Sequence, residues 1–189
     1  MFVKLAIRDV VILGVAAGLW FWLSSYSAEE GMLSDFVGFV AGLSLTACAF
    51  IFHEWGHLLG GFASRSVVYP AERLGSRFVF SFDRRKNSRG QFLIMSAGGF
   101  IATGLALWAV YAGLPDSELA SRVARGGVLF LVFLGVVLEL PLVGWSLLRS
   151  DLPPVETFPA PGAPPEATAE ACPSPTKRPA RPDLRALSD

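Results

Sequence analysis

The chain is poor in cysteine and carries no net charge, and each shortage excludes a class of protein. Its 189 residues include two cysteines, Cys48 inside an apolar run and Cys172 in a polar tail, an arrangement that argues against a fold stapled by disulfides. Sixteen basic residues balance sixteen acidic ones, so the total charge gives no reason to expect a nucleic-acid partner. The sequence also lacks a glycine-rich phosphate loop and an internal repeat, the marks of a nucleotide site and of a repeat array.

Hydrophobic residues, by contrast, are abundant. They make up 52% of the chain, and the mean hydropathy of +0.49 exceeds the range usual for soluble proteins. Four stretches are long enough to cross about 30 Å of hydrocarbon as helices: residues 10–26, 36–62, 92–113 and 126–148. We therefore expect an all-α membrane protein with about four transmembrane helices, formed by one domain of residues 1–150.

The first apolar stretch has a second interpretation. Lys4 and Arg8 precede it, and residues 25–28 read Ser-Tyr-Ser-Ala, so residues 1–28 also fit a cleaved signal peptide. The stretch is long for the apolar core of such a peptide, and Trp20 and Trp22 suit anchors at a membrane interface. A retained membrane helix is therefore the favoured interpretation.

Basic residues are concentrated between the second and third stretches, which predicts the orientation in the membrane. Residues 28–35 hold three acidic residues and no basic one, whereas residues 64–91 hold seven basic residues: Arg65, Arg73, Arg77, Arg84, Arg85, Lys86 and Arg89. By the positive-inside rule this basic loop is cytoplasmic. Four spans then place both termini in the cytoplasm, and we expect a multi-pass protein of the cell membrane.

Both histidines of the chain belong to one motif, His53-Glu54-Trp55-Gly56-His57. Since a helix turns about 100° per residue, side chains four apart share a face at about 6 Å, which allows two imidazoles to bind one zinc ion. In this H-E-x-x-H arrangement the glutamate is the general base for a water that zinc acidifies. Residues 36–52 carry no charge, so the motif is expected inside a span, about 8 to 13 Å from its cytoplasmic end.

Glu139 is a second functional candidate because it stands alone among apolar residues of the fourth span. An ionisable side chain there costs several kcal/mol unless it faces protein, water or a metal. Its predicted depth, about 15 Å from the cytoplasmic end, matches that of His53. Pro141 predicts a bend beside it. The alternative is a protonated Glu139 that hydrogen-bonds to another helix.

Two further segments are predicted near the mouth of the site. Alternating phenylalanines at residues 78–82 predict a short cytoplasmic β-hairpin or edge strand, to which an extended peptide can pair; the alternative is that these rings pack onto the membrane surface. Gly98 and Gly99 either let helices approach closely or expose backbone beside the site. We predict Phe80, Gly98 and Gly99 as substrate-binding residues.

The end of the chain differs in composition from the rest. Ten of the thirteen prolines lie between residues 153 and 182, and no hydrophobic periodicity survives there. Residues 151–189 are therefore predicted to form a disordered cytoplasmic tail.

The motif within an apolar helix, followed by Leu58-Leu59-Gly60-Gly61, resembles the site-2 protease-type intramembrane zinc metallopeptidases, and the resemblance spans about residues 36–151. It implies a zinc-dependent endopeptidase that acts in the lipid bilayer and cleaves membrane-protein or peptide substrates near the cytoplasmic face, in regulated intramembrane proteolysis. It also implies that His53 and His57 bind zinc and that Glu54 is the catalytic base.

The chain departs from this family at two places. The family's Gly-Pro-x-x-Asn element corresponds here to residues 98–102, Gly-Gly-Phe-Ile-Ala, and the Leu-Asp-Gly element that supplies the third zinc ligand is missing. Glu139 and Asp151 are the candidates for that ligand, and we choose Glu139 for its depth and because glutamate binds zinc beside two histidines.

Two other functions stay open. One is a non-proteolytic membrane protein of the same fold that binds partners through its loop and tail. The other is a small transporter, in which a homo-oligomer supplies the missing symmetry.

Overall fold

The computed structural model describes residues 1–26, 31–149 and 151–153. These residues form helices α1 (Phe2–Tyr26), α2 (Met32–Ala63), α3 (Arg89–Gly113) and α4 (Leu119–Leu134), and a π-helical turn, Gly135–Glu139, joins α4 to α5 (Leu140–Leu148). Strands β1 (Val68–Pro70) and β2 (Phe80–Phe82) lie between α2 and α3. The fold is mostly helical, as predicted. Apart from its first residues, the predicted tail lies outside the described part of the chain.

Three helical segments among the described residues are long and apolar enough to cross a membrane: Met32–Ala63, Arg89–Gly113 and Leu119–Leu148, the last running through the π-helical turn. Helix α1 forms where the first span was predicted, but it is not one of these three, and Lys4, Arg8 and Asp9 lie in its first turns. The helices expose large apolar side chains, such as Ile101 at 63% and Phe130 at 58%. Extensive surfaces of this kind are typical of membrane or protein contacts.

The helices begin earlier than the apolar stretches predicted. Helix α2 starts four residues before residue 36, α3 three before residue 92, and α4 seven before residue 126. Hydropathy detects the apolar part of a helix, whereas the helix itself continues through charged residues. In α4, Arg125 is accommodated because it donates to the Leu114 carbonyl at 2.7 Å and pairs with Asp116 in the turn after α3.

Helix α2 is central, since α1, α3 and α4 all pack against it. Glycines bring these neighbours close: Gly56 lies against Gly98 and Ala102 of α3, and Gly42 lies against the backbone of Ala120 in α4. A Cβ atom at either α2 glycine would overlap its neighbour. Small residues therefore permit this backbone-to-backbone packing, as is common between membrane helices.

The two strands pair antiparallel, with Val68 opposite Phe82 and Pro70 opposite Phe80. The alternating phenylalanines at residues 78–82 predicted a short hairpin or edge strand after α2, and β2 (Phe80–Phe82) confirms a strand there. Its partner β1 was not located from the sequence, because three residues that end in proline show no alternation.

Hydrogen bonds from the start of α3 hold the sheet at the end of α2. Asn87 accepts a hydrogen bond from the Val67 N–H at 2.6 Å and donates one to the Val67 carbonyl at 2.8 Å. Ser88 and Gln91 form a capping box at the first turn of α3, and Gln91 also donates to the Ser64 carbonyl at the end of α2. The sheet is thereby fixed close to the helix that carries the histidine motif.

Helix α1 packs on the other side of this end of α2. Leu5, Leu58 and Val79 form one cluster in which each is at most 1% exposed. Arg8 donates to the carbonyl of Leu74, at 2.6 Å, in the loop before β2. The N-terminal end of α1 and the basic loop therefore share one end of the molecule.

The contact between α2 and α3 is open to a direct test. A Cβ atom at Gly98 would overlap the carbonyl oxygen of Gly56, so we expect Gly98→Ala to destabilise the protein by about 1 to 3 kcal/mol. Gly104→Ala is the matched control on the same helix: no atom lies within 4 Å of its Cβ position, and alanine favours a helix by up to about 1 kcal/mol. Denaturant unfolding in detergent micelles measures the difference. Equal stability of the two variants would contradict the close approach of α2 to α3.

Candidate metal centre

The two histidines and Glu139 converge between α2 and the π-helical turn. The Nε2 atom of His53 lies 3.0 Å from Nε2 of His57 and 3.0 Å from Oε1 of Glu139. Nε2 of His57 lies 3.3 Å from the other carboxylate oxygen, Oε2. Among the described residues this is the group of three side chains able to hold a metal ion, with ligand atoms all within 4.8 Å of one another. The structure therefore brings Glu139 into direct contact with both histidines.

The spacing of these atoms fits a single cation. Zinc bound at about 2.0 to 2.1 Å in tetrahedral geometry separates its ligand atoms by roughly 3.3 Å, close to the 3.0 to 3.3 Å between these atoms. Oε2 of Glu139 is buried and makes no hydrogen bond, so a lone pair is available inside the cluster. Two imidazoles and one carboxylate leave a fourth position for water or substrate.

Helix α3 holds the outer nitrogen of each ring. Nδ1 of His57 lies 3.0 Å from the Met95 carbonyl oxygen, and Nδ1 of His53 lies 3.2 Å from the Gly99 carbonyl oxygen and 2.8 Å from Oγ1 of Thr103. Because a carbonyl can only accept, each neutral ring donates from Nδ1 and keeps its Nε2 lone pair towards the cluster. Metal-binding histidines in proteins are oriented in this way.

Thr103 was not predicted as a site residue. Its only sequence signal is its spacing: it follows Gly99 by four residues, so the two lie on one face of α3. That face meets His53, but the sequence does not indicate which face of α3 turns towards α2.

The two glycines predicted to bind substrate lie at the contact between α2 and α3. Gly98 faces the backbone of Gly56, and a Cβ atom at Gly99 would collide with the ring of His57. The Gly99 carbonyl also accepts a hydrogen bond from His53. Both positions therefore serve the packing and the placement of the histidines, the first of the two interpretations drawn from the sequence.

The π-helical turn places Glu139. Pro141 has no N–H, and its ring disfavours α-helical geometry with the carbonyl of Val137 four residues earlier. Here the helix widens into the turn Gly135–Glu139, and Glu139 is its last residue. Turns of this type recur at functional sites, and the bend predicted beside Glu139 takes this form.

A cavity of about 150 Å³ adjoins the cluster. Glu54, His57 and Glu139 form its polar side, and its other lining residues are largely apolar: Phe78, Phe80, Phe82, Phe92, Met95, Ser96 and Leu142. Phe80, the remaining residue predicted to bind substrate, thus lies in the cavity wall. Glu54 is 6% exposed, and its carboxylate interacts with the backbone of Val79.

Asp151, the alternative third ligand, lies outside this cluster. It is exposed beyond the end of α5, and it is not among the side chains that meet at the metal-binding group. The carbonyl of the next residue, Leu152, accepts a hydrogen bond from Arg84 at 3.3 Å. Of these two candidates, Glu139 is the one that lies against both histidines.

Comparisons with known proteins supply no relative. No protein-family model, no curated protein and no solved structure matches this chain. The resemblance to site-2 protease-type enzymes therefore rests on the motif and its surroundings alone.

The choice of third ligand can be measured through metal affinity. We expect Glu139→Gln to weaken metal binding by more than about 100-fold, since loss of a supporting contact alone costs about 10- to 100-fold. The control Asp151→Asn should bind metal as the unmodified chain does. Metal content after purification and competition with a chelator gives both values. Loss of metal in the Asp151 variant only would assign the ligand to Asp151.

The contact between Thr103 and His53 gives a second measurement. Thr103→Val keeps the shape of the side chain but removes the hydroxyl 2.8 Å from Nδ1, and we expect it to lower metal affinity by about 10-fold. Thr46→Val is the control, because the Thr46 hydroxyl donates to the Gly42 carbonyl of its own helix. Equal metal affinity in the two variants would show that Thr103 does not support His53.

Proposed function

We propose that the chain is an intramembrane zinc metalloprotease that hydrolyses peptide bonds of membrane-associated proteins near the cytoplasmic face. The observation that carries this proposal is the convergence of His53, His57 and Glu139 next to the buried Glu54. These side chains meet in helices apolar enough to cross a membrane. The resemblance to site-2 protease-type enzymes supports the reaction type.

Each of the four polar side chains has a role in this proposal. His53, His57 and Glu139 hold the zinc ion, which when bound supplies a Lewis acid and acidifies water. Glu54 follows His53 directly and lines the same cavity as His57 and Glu139. Its carboxylate is therefore placed to take a proton from the attacking water and to return it to the leaving amine. The backbone of Val79 interacts with the carboxylate of Glu54 on the side of β2.

Strand β2 is the proposed binding surface for the substrate backbone. The sheet has two strands in the described part of the chain, so β2 has an edge that an extended peptide can join. Phe80 and Phe82 lie in the cavity wall with Glu54. A peptide paired to β2 would thus place a side chain in the apolar cavity and its backbone near the metal centre.

The proposed orientation puts the site on the cytoplasmic side of the cell membrane. Arg89, at the start of α3, donates to the Leu147 carbonyl at the end of α5 at 3.1 Å. The end of α5 therefore lies on the same side as the basic loop and the start of α1. By the positive-inside rule this side is cytoplasmic, which gives a multi-pass protein with both termini in the cytoplasm.

Glu54→Gln tests the reaction. Loss of the general base should lower cleavage by about 10²- to 10⁴-fold, while His53, His57 and Glu139 still bind the metal. Comparing membrane-fraction proteomes of cells that express the unmodified chain or the variant measures activity and finds substrates together. Glu72→Gln, an exposed acid in the basic loop, is the matched control.

Two outcomes would count against proteolysis. Undiminished cleavage in Glu54→Gln would remove Glu54 from the reaction. Metal binding by the unmodified chain without any cleaved protein would favour the non-proteolytic, partner-binding alternative.

A further inference from the structure

We propose that Asp9 of α1 is a positioning residue for Glu54, acting through Trp55 and through the loop that precedes β2. The inference rests on the proposed function for the role of Glu54, whereas the contacts that carry it stand independently of that role. It gives α1 a part in the site that its sequence does not suggest, since α1 contributes none of the metal-binding side chains.

The carboxylate of Asp9 is buried and fully engaged. The residue is 2% exposed; its Oδ2 accepts a hydrogen bond from the Trp55 indole N–H at 2.8 Å, and its Oδ1 accepts one from Arg8 at 2.7 Å. A buried carboxylate is unfavourable unless it is paired and hydrogen-bonded, so these contacts hold the three side chains in one arrangement. Because Trp55 directly follows Glu54, anchoring its indole on α1 fixes the turn of α2 that carries Glu54.

Arg8 extends the link from Asp9 to the strand. Its guanidinium donates to the carbonyls of Leu74 and Ser76 at 2.6 and 2.8 Å. This loop leads directly into Val79, which packs with Leu58 and Trp55 of α2 and whose backbone interacts with Glu54. Asp9 therefore reaches Glu54 along two routes, one through α2 and one through the loop.

Apolar packing makes the second route rigid. Val79 is 1% exposed and packs in one cluster with Leu5 of α1 and Leu58 of α2, with Trp55 at its side.

The structure divides the positioning of the site between two helices. The outer nitrogens of His53 and His57 are held by the carbonyls of Gly99 and Met95 in α3, whereas α1 contacts Trp55 and the loop before β2. A change at Asp9 should therefore disturb the base without disturbing the metal ligands. This difference separates a positioning role from a general structural one.

Asp9→Ala and Asp9→Asn form the test pair in the full chain. We expect Asp9→Ala to lower kcat by roughly 10- to 100-fold, as small misplacements of catalytic groups do, with KM and metal affinity unchanged. Asp9→Asn should recover part of the activity, because its amide oxygen can still accept from Trp55 but its amide nitrogen cannot accept from Arg8. Trp55→Phe keeps the aromatic bulk and lacks the N–H, and it should lower kcat less than Asp9→Ala because the contact between Asp9 and Arg8 remains.

Hydrogen exchange read by mass spectrometry supplies a measurement that needs no activity. Asp9→Ala should speed exchange in residues 74–82 and leave residues 89–113 of α3 at the rate of the unmodified chain, and Asp9→Asn should give an intermediate rate in residues 74–82 because it keeps the contact to Trp55 and loses that to Arg8. If the unmodified chain cleaves nothing, the proposed function fails, and the exchange pattern alone decides the inference about Asp9: local acceleration supports it and an unchanged pattern overturns it.

Three results would overturn the inference while the proposed function stands. The first is cleavage by Asp9→Ala at the rate of the unmodified chain. The second is loss of metal from that variant, and the third is faster exchange throughout the chain, because either of these would mean a general structural role.

Discussion

The close approach of α2 and α3 is the constraint on which the site depends. Gly56 and Gly98 meet without side chains between them, which brings the backbone of α3 within hydrogen-bonding distance of both imidazoles. Helix backbones normally offer no free carbonyls to a neighbour. Here the Met95 and Gly99 carbonyls accept from the rings in addition to their place in the helix, which is possible because each carbonyl oxygen has two lone pairs.

The contact between α2 and α3 also bears on which residues are free to bind a substrate. Site-2 protease-type enzymes have a Gly-Pro-x-x-Asn element at the place that corresponds to residues 98–102. In this chain the glycines of that segment pack against α2 and support the histidines. The segment has no asparagine to hold a substrate, so in the proposed function this task falls to β2 and to the aromatic wall of the cavity. In the proposed function, α3 therefore supports the metal ligands and β2 binds the peptide.

Features that depend only on the spacing of residues along the chain could be predicted from the sequence. Apolar length located the helices, the spacing of His53 and His57 put their side chains on one face, and depth paired His53 with Glu139. Contacts between distant segments could not be predicted. The bond between Asp9 and Trp55 and the support by Thr103 depend on which helix faces turn towards each other, and several rotations would bury the apolar stripes of α1 and α3 equally well. Strand β1 was missed because its pairing comes from tertiary contact and not from a local pattern.

The π-helical turn confines the effect of an additional residue to the surroundings of the third ligand. Glu139 reaches the histidines from a turn that holds one residue more than an α-helical turn. Because the wider turn absorbs this residue, the helix on either side of it keeps nearly one continuous register, and deleting one residue between 135 and 138 would restore i→i−4 hydrogen bonding without a large rotation of α5. The turn is therefore a local adjustment of the backbone next to Glu139, and it leaves the apolar faces of α4 and α5 in step with each other.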